Sequence, residues 1–405
     1  MPARGAFAVP VSEIVRIAAR GDGVTADGRH IARGVPDDRV NEDGSLEHGP
    51  HHVKPPCRHF ERCGGCQLQH ADEAVLRQFV TERVVLAAEG QGLEAGRVAS
   101  PHLSPPKTRR RATLHGANGG GRALLGYKEA RSHRIVDLAE CPVLHPTLFA
   151  LVTPLRLLLA RQGGRYAATI ALSLTDQGVD CALTGVTFEG LEANEALTSF
   201  ARDHKLARLA LDMGYGPETM WEPEPVTVTL SGVPVGFPQG AFMQATADGE
   251  AALADAVREW LGGARHVADL FSGLGTFAFA LSETAHVSAY EAARDAHLAC
   301  RVAAGRHGAR VMAHHRDLFR QPLETEELAG FDAVVLDPPR AGAKEQVARI
   351  AQSEVERIAY IGCNPASWSR DAARLVDGGY RLAELRPVGQ FRWSTHVELA
   401  SLFVR

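Results

Sequence analysis

From about residue 237 onward, short apolar runs alternate with segments of helical composition. The runs cover residues 266–271, 286–290, 309–313, 331–336 and 357–361. Strand–helix alternation of this kind predicts a doubly wound parallel sheet. Two further runs, 380–390 and 396–404, have no helix between them and predict a closing antiparallel hairpin. Upstream, residues 166–173, 178–184, 206–212 and 225–230 read as strands, with a helix near 188–204. Gln69 to Glu89 is helical in composition, with an apolar stripe through Val75, Phe79 and Val80. Residues 71–230 therefore read as a mixed α+β unit. The first fifty residues hold short alternating runs, with strands expected at 11–18 and 30–35. Gly21-Asp22-Gly23 and Asp27-Gly28 are turn signals, and 41–50 reads as an exposed loop. The expected units are 1–56 (a short β segment), 57–236 (α+β) and 237–405 (α/β).

Composition changes this picture little. Hydrophobic content of 45% and charged content of 23% suit a globular chain with a sizeable core. The residues from Met1 to Arg20 lack the apolar run of a signal peptide, and no stretch is long and apolar enough to span a membrane. A cytoplasmic protein without membrane contact is the expectation, and a monomer. Charge matters more. With 44 Lys and Arg against 48 Asp and Glu, a uniformly basic surface is excluded. Any binding of nucleic acid has to come from local clusters, of which Lys107, Arg109, Arg110 and Arg111 form the densest. The bland alternative for that run is a solvated charged face.

The seven cysteines are unevenly placed. Five residues lie between Cys57 and Cys63, and two between Cys63 and Cys66, which follows Gly64-Gly65. Cys141, in Glu140-Cys141-Pro142, is the best fourth ligand. Four thiolates suit an iron–sulfur cluster or a structural zinc ion. Zinc sites usually come as two close pairs, so three plus one remote favours iron–sulfur.

Three ligand-facing turns follow three different strands of the C-terminal unit. Asp269-Leu270-Phe271-Ser272-Gly273-Leu274-Gly275-Thr276 is a glycine-rich strand-to-helix turn, which lets a ligand approach the backbone. It is neither a Walker loop nor the full three-glycine dinucleotide pattern. The second strand ends at Glu291, placed to accept hydrogen bonds from a ribose. The fourth ends in Asp337-Pro338-Pro339-Arg340. The fifth ends at Gly362, followed by Cys363-Asn364-Pro365 and a helix from about 366 to 375. A thiol there lies where open α/β sheets bind ligands, and a helix N-terminus favours its thiolate. A buried structural cysteine is the competing reading.

In combination these motifs resemble the RNA uracil-5 methyltransferases of the TrmA/RumA family. The resemblance rests on Cys57-x5-Cys63-Gly-Gly-Cys66, Cys141-Pro142, Phe242-Met243-Gln244, Asp269 to Gly275, Asp337-Pro338-Pro339-Arg340, Cys363-Asn364-Pro365 and His396-Val397-Glu398. It runs from about Cys57 to the end. It implies a C-terminal Rossmann-like class I methyltransferase domain that uses S-adenosylmethionine. It also implies a [4Fe-4S] cluster held by Cys57, Cys63, Cys66 and Cys141, as in the ribosomal-RNA branch, with 23S ribosomal RNA as the partner. Residues 11–40 resemble the start of the family's N-terminal TRAM β-barrel, in shortened form. The resemblance assigns Cys363 as nucleophile and Glu398 as base. Gln244, Phe271, Gly273 and Thr276 would line the cofactor pocket with Glu291, Asp317 would approach adenine, and Asp337 would face substrate or cofactor. Thr246, Ser272 and Thr276 depart from the residues frequent in the family, which would touch cofactor contacts or substrate choice.

The chemistry agrees with the residue types. Uracil carbon 5 is too weak a nucleophile to accept a methyl group unaided, and a thiolate adding at carbon 6 activates it. A carboxylate in an apolar strand, as Glu398 is, tends to a raised pKa suited to proton abstraction near neutrality. Two rivals stand beside this reading. One is an exocyclic-amine methyltransferase, which shares an Asp-Pro-Pro motif but needs no cysteine. The other is an iron–sulfur RNA-binding protein with an inactive methyltransferase domain.

Overall fold

The computed structural model describes residues 11–119 and 122–405. The first ten residues of the expected 1–56 unit thus lie outside the described residues. That unit is a five-stranded sheet: β1 (Ser12–Ile17), β2 (Gly23–Thr25), β3 (His30–Ile31), β4 (Arg39–Val40) and β5 (Leu46–Glu47), in the order β3-β2-β1-β4-β5. The expected loop at 41–50 instead contains the turn and return strand of the β4–β5 hairpin. Its anchor is Asp38, fully buried, whose carboxylate accepts hydrogen bonds from the amides of Val35 and Gly49 and pairs with the His52 ring. A two-residue strand held by a distant side chain leaves no apolar alternation to read.

After the cysteine segment comes α1 (Glu73–Glu89), capped by the Asp72 carboxylate on the Val75 amide at 2.9 Å. Then come β6 (Arg97–Val98) and β7 (His102–Leu103). The middle sheet contains β8 (Arg111–Gly119), β9 (Arg122–Lys128), β10 (Ile135–Asp137), β11 (Ala167–Thr175), β12 (Gly178–Thr184), β13 (Leu206–Asp212) and β14 (Pro217–Trp221), in the order β10-β9-β8-β11-β12-β13-β14. It is backed by α2 (Pro146–Ala150), α3 (Val152–Ala160) and α4 (Leu191–Asp203) over a core that includes Leu114, Leu155, Ile170 and Leu197. The predicted strands at 178–184 and 206–212 match these bounds. A two-stranded ribbon, β15 (Thr227–Leu230) and β16 (Val233–Gly236), leads into the last unit.

That unit runs α5 (Ala247–Leu261), β17 (His266–Leu270), α6 (Thr276–Leu281), β18 (His286–Glu291), α7 (Arg294–His307), β19 (Val311–His315), α8 (Thr325–Leu328), β20 (Ala333–Leu336), α9 (Lys344–Ala351), β21 (Arg357–Gly362), α10 (Pro365–Asp377), β22 (Arg381–Gly389) and β23 (Glu398–Val404). The sheet order is β19-β18-β17-β20-β21-β23-β22-β6, with β7 also on β22. The first five are parallel, and β23 runs antiparallel between β21 and β22. Helices cover both faces, so β20 is buried at every residue and reads as an unbroken apolar run. One face packs Leu253, Trp260, Phe277 and Phe279; the other packs Val347, Trp368 and Leu375. The fold class expected from the sequence, α/β with a Rossmann-like C-terminal domain and an α+β middle domain, is the one observed. One detail differs: α1, β6 and β7, placed by the sequence in the middle unit, lie on the C-terminal sheet, with Val75 and Phe79 in the same core as Trp368.

Candidate active site

The order of the strands places the chemistry. Strand order reverses between β17 and β20, and ligands bind outside the carboxyl ends at such a point. The glycine turn leaves β17 there, Asp337 leaves β20, and Cys363 leaves β21. Because β23 is antiparallel, its first residue lies at this same rim. Gly362 pairs with Leu399, and Val388 with Glu398, so Cys363 and Glu398 flank adjoining rungs of one ladder. Adjacent strands lie roughly 4.8 Å apart. Nucleophile and base candidates 35 positions apart in the chain are thereby neighbours.

The loops are held rigidly. The Asn364 side chain caps α10 on the Ala366 amide and donates to the Arg340 carbonyl at 3.1 Å; the Ser367 hydroxyl donates to the same oxygen at 2.9 Å. Asp371 on α10 is buried. Its Oδ2 accepts from the Ala343 amide (2.7 Å) and the Tyr360 hydroxyl (2.9 Å). It thus ties the loop after Asp337-Pro338-Pro339-Arg340 to the strand that carries Cys363.

Electrostatics separate the roles. Burial pushes Glu398 up to about 7, opposed by the Gln390 side chain and the Arg111 and Arg340 guanidiniums. Cys363 is pushed up to about 11 by burial and by the Glu398 and Asp337 carboxyls, with Arg340 acting against them. The expected thiolate-favouring helix terminus does not prevail. A helix terminus contributes about 0.3–1 kcal/mol, less than the 1.4 kcal/mol of one pKa unit. Burial also raises Asp337 well above the usual carboxylate range, aided by the Glu398 and Asp269 carboxyls.

On the cofactor side, Phe271 takes a left-handed backbone (φ 63°) and packs against Phe319, ring centroids 5.2 Å apart. The Gly273 amide donates to Glu291 Oε2 at 2.9 Å, and the Ala293 amide to Oε1 at 2.6 Å. Glu291 thus holds the glycine turn rather than standing free. Gly275 (φ 94°) opens α6 at Thr276, and a Cβ there would come within 2.9 Å of Cys300 Sγ. Asp317 accepts from the Phe319 and Arg320 amides, closing the turn that presents Phe319. Thr246 is buried, caps α5 and meets the Ser104 hydroxyl at 2.8 Å.

The sequence reading missed Gln390. It is almost fully buried just beyond β22, and its Nε2 donates to Gln244 Oε1 at 2.8 Å while its Oε1 accepts from the Ala245 amide at 3.0 Å. It also faces Glu398, so one amide orients the cofactor-side glutamine and the candidate base together. Phe319 and Asp371 were missed too. No local pattern marks any of the three.

Cys57, Cys63, Cys66 and Cys141 line one enclosed cavity with Phe60 and Tyr127. Burial pushes all four thiols up, Cys66 to about 12, and the Gly65 amide donates to Cys63 Sγ at 3.4 Å. Among the described residues no three Cys, His, Asp or Glu side chains converge as they would on a single ion. The next two amides, Gln67 and Leu68, donate to the Trp393 carbonyl at 2.7 and 2.9 Å, in the loop that enters β23. Cys181 and Cys300 are buried elsewhere.

The basic run divides. Arg110 turns inward: its Nε donates to the Gln244 carbonyl and its Nη2 pairs with Glu250 at 2.6 Å, both side chains largely buried. It joins the middle unit to α5 and is not free for RNA, contrary to the expectation from the sequence. Arg109 lies over the Phe391 ring and Arg111 over the exposed Phe242 ring, at 5.3 and 4.5 Å.

A family model for tRNA (uracil-5-)-methyltransferase matches residues 235–405. An uncharacterised RNA methyltransferase of Zymomonas mobilis is 49% identical over 98% of this chain and 100% of its own. The 23S rRNA (uracil(1939)-C(5))-methyltransferase RlmD of Edwardsiella ictaluri is 32% identical over 93% of this chain and 86% of its own. A crystal structure of Pyrococcus abyssi tRNA (uracil-54, C5)-methyltransferase in complex with S-adenosyl-L-homocysteine shares the fold, with a TM-score of 0.75 at 22% identity over 98% of this chain and 100% of that one. Full-length likeness at these identities, on a fold whose rim carries the motifs, shows that this chain belongs to the RNA (uracil-5-)-methyltransferase family.

Proposed function

We propose that this protein methylates carbon 5 of a uridine in 23S ribosomal RNA through a transient bond to Cys363. The observation that carries the proposal is the β21–β23 register, which sets Glu398 beside Cys363 at the ligand-binding rim. The Cys363 thiol gives up its proton to water, the sulfur adds to uracil carbon 6, and the C5=C6 electron pair moves towards O4, leaving carbon 5 nucleophilic. S-adenosylmethionine, when bound, supplies the methyl group to carbon 5. Glu398, near 7, then takes the carbon 5 proton; the C5=C6 bond re-forms and the electron pair returns to Cys363. Arg340 favours the thiolate at Cys363 against the Glu398 and Asp337 carboxyls beside it. Ribosomal RNA as substrate follows the RlmD relative, and the cavity that holds the four cysteines supports it; a cytoplasmic site of action goes with that substrate.

The thiols fit a [4Fe-4S] cluster. All four line one cavity, and four cysteine thiolates are the ligand set of such a cluster. Cys57, Cys63, Cys66 and Cys141 would hold it, and its part would be to order Gln67 and Leu68 against the catalytic loop. The test of the covalent step uses RNA containing 5-fluorouridine with S-adenosylmethionine, since fluorine does not leave as a proton. A denaturation-stable protein–RNA adduct is expected, absent in Cys363→Ala. Active protein that forms no adduct would overturn the covalent step. Mass mapping of methylated uridines in RNA from cells with and without the protein identifies the nucleotide.

A further inference from the structure

Arg83, in the third turn of α1, is the unexplained cation of the catalytic cleft. The cleft has an open volume of ≈ 370 Å³, and Arg83 lines it together with Gln67, Arg340, Cys363, Asn364 and His396. Arg83 is half-buried, its Nε is shielded from solvent without a hydrogen-bond partner, and no carboxylate pairs with it among the described residues. Leaving a guanidinium so costs free energy unless an anion completes it. The neighbourhood is cationic: Arg340, Arg109, Arg111 and Arg83 all face the His396 ring, which burial and these charges hold neutral. At Cys363 itself the buried Glu398 and Asp337 carboxyls raise the thiol and Arg340 acts against them.

We propose that Arg83 binds a backbone phosphate of the target nucleotide, holding the extruded uridine with its base toward Cys363. This rests on the reading of Cys363 as the uracil site. A base drawn from its stack needs its phosphate fixed, because the unstacked nucleotide otherwise swings freely. A guanidinium fork suits phosphate oxygens. The position of α1 also explains how the contact is kept rigid. The helix packs through Val75 and Phe79 into the same core as Trp368 of α10, and α10 begins just after Cys363. Nucleophile and phosphate contact therefore sit on one packed body.

The test uses the full chain, purified without oxygen, and follows alkylation of Cys363 by iodoacetamide through peptide mass spectrometry. The competing probes are uridine, uridine 3′-monophosphate and uridine 5′-monophosphate. In the wild type, one monophosphate should half-protect Cys363 at a concentration about tenfold below that of uridine, as one charge-assisted hydrogen bond predicts. In Arg83→Gln this preference should fall to about one, with protection by uridine unchanged. Arg83→Lys should retain part of it. Persistence of the phosphate preference in Arg83→Gln overturns the proposal. Equal loss of protection by uridine and by the monophosphates also overturns it, because it marks a packing role for the arginine stem. If the wild type is protected by neither uridine nor its monophosphates, the assignment of Cys363 as the uracil site fails, and this site with it.

Discussion

Glu398 and Cys363 both act in their anionic forms, and their surroundings meet that requirement only for Glu398 in the free protein. Glu398, pushed to about 7, is half ionised at neutrality. Only the ionised form accepts a proton, so kcat/KM for RNA should fall as pH drops through about 7. Gln390 favours the ionised form, so Gln390→Leu should move that acid limb to higher pH, whereas a merely structural loss would lower the rate at all pH values. Cys363, near 11, is a thiol in the free protein. Removing the negative charge beside it should lower its pKa. In Glu398→Gln, alkylation of Cys363 by iodoacetamide should therefore rise at lower pH than in the wild type. An unshifted alkylation profile would show that the two groups do not interact.

At the scale of elements, the loop from Asp337 to Ala343 works because it has two anchors. Asn364 and Ser367 hold the Arg340 carbonyl, and Asp371 holds the Ala343 amide. Gly342 has φ 84°, and a Cβ there would lie 2.6 Å from Asp371 Oδ2. Gly342→Ala should cost about 1–3 kcal/mol through strain at this backbone, and should lower kcat more than it raises KM for RNA. Thermal unfolding and steady-state kinetics on the same preparation check both. An unchanged kcat would mean that the Asp371 anchor plays no part in placing Arg340.

At the scale of the whole molecule, two devices join the middle unit to the catalytic sheet. One is the Arg110–Glu250 pair, with side chains 14% and 13% exposed. Removing one member of a buried pair leaves an uncompensated charge, so Arg110→Ala should destabilise the protein by about 3 kcal/mol. It should leave the salt dependence of RNA binding unaltered. Arg109→Ala with Arg111→Ala should instead flatten that dependence, by about one unit of slope per lost phosphate contact. The other device is the cysteine cavity, two residues from the Trp393 carbonyl. Protein purified without oxygen should contain iron and sulfide. Cys66→Ser should lose both and bind RNA weakly, while Cys300→Ser keeps its iron. Stoichiometric zinc without iron would overturn the cluster.

Much of this molecule is legible in one dimension. The parallel strands announce themselves as unbroken apolar runs because both faces are covered, as at Ala333–Leu336. Cys363, Asp337 and the glycine turn are each placed by the strand that precedes them, and strand ends are local features. The four cysteines identify one another by residue type. What the chain does not encode locally is which strand lies beside which. That β23 enters between β21 and β22, bringing Glu398 to Cys363, is decided by long-range pairing. So is the fate of charge: Arg109, Arg110 and Arg111 are adjacent and alike in sequence, yet Arg110 is consumed by Glu250, 140 positions away. Burial depends on the whole fold, so the rise of Cys363 and Glu398 above their ordinary pKa values, the buried Gln390 amide and an Arg83 left unpaired among the described residues emerge only from tertiary structure. Residue type and strand ends are short-range properties of the chain; desolvation and partnership are properties of three-dimensional neighbourhoods.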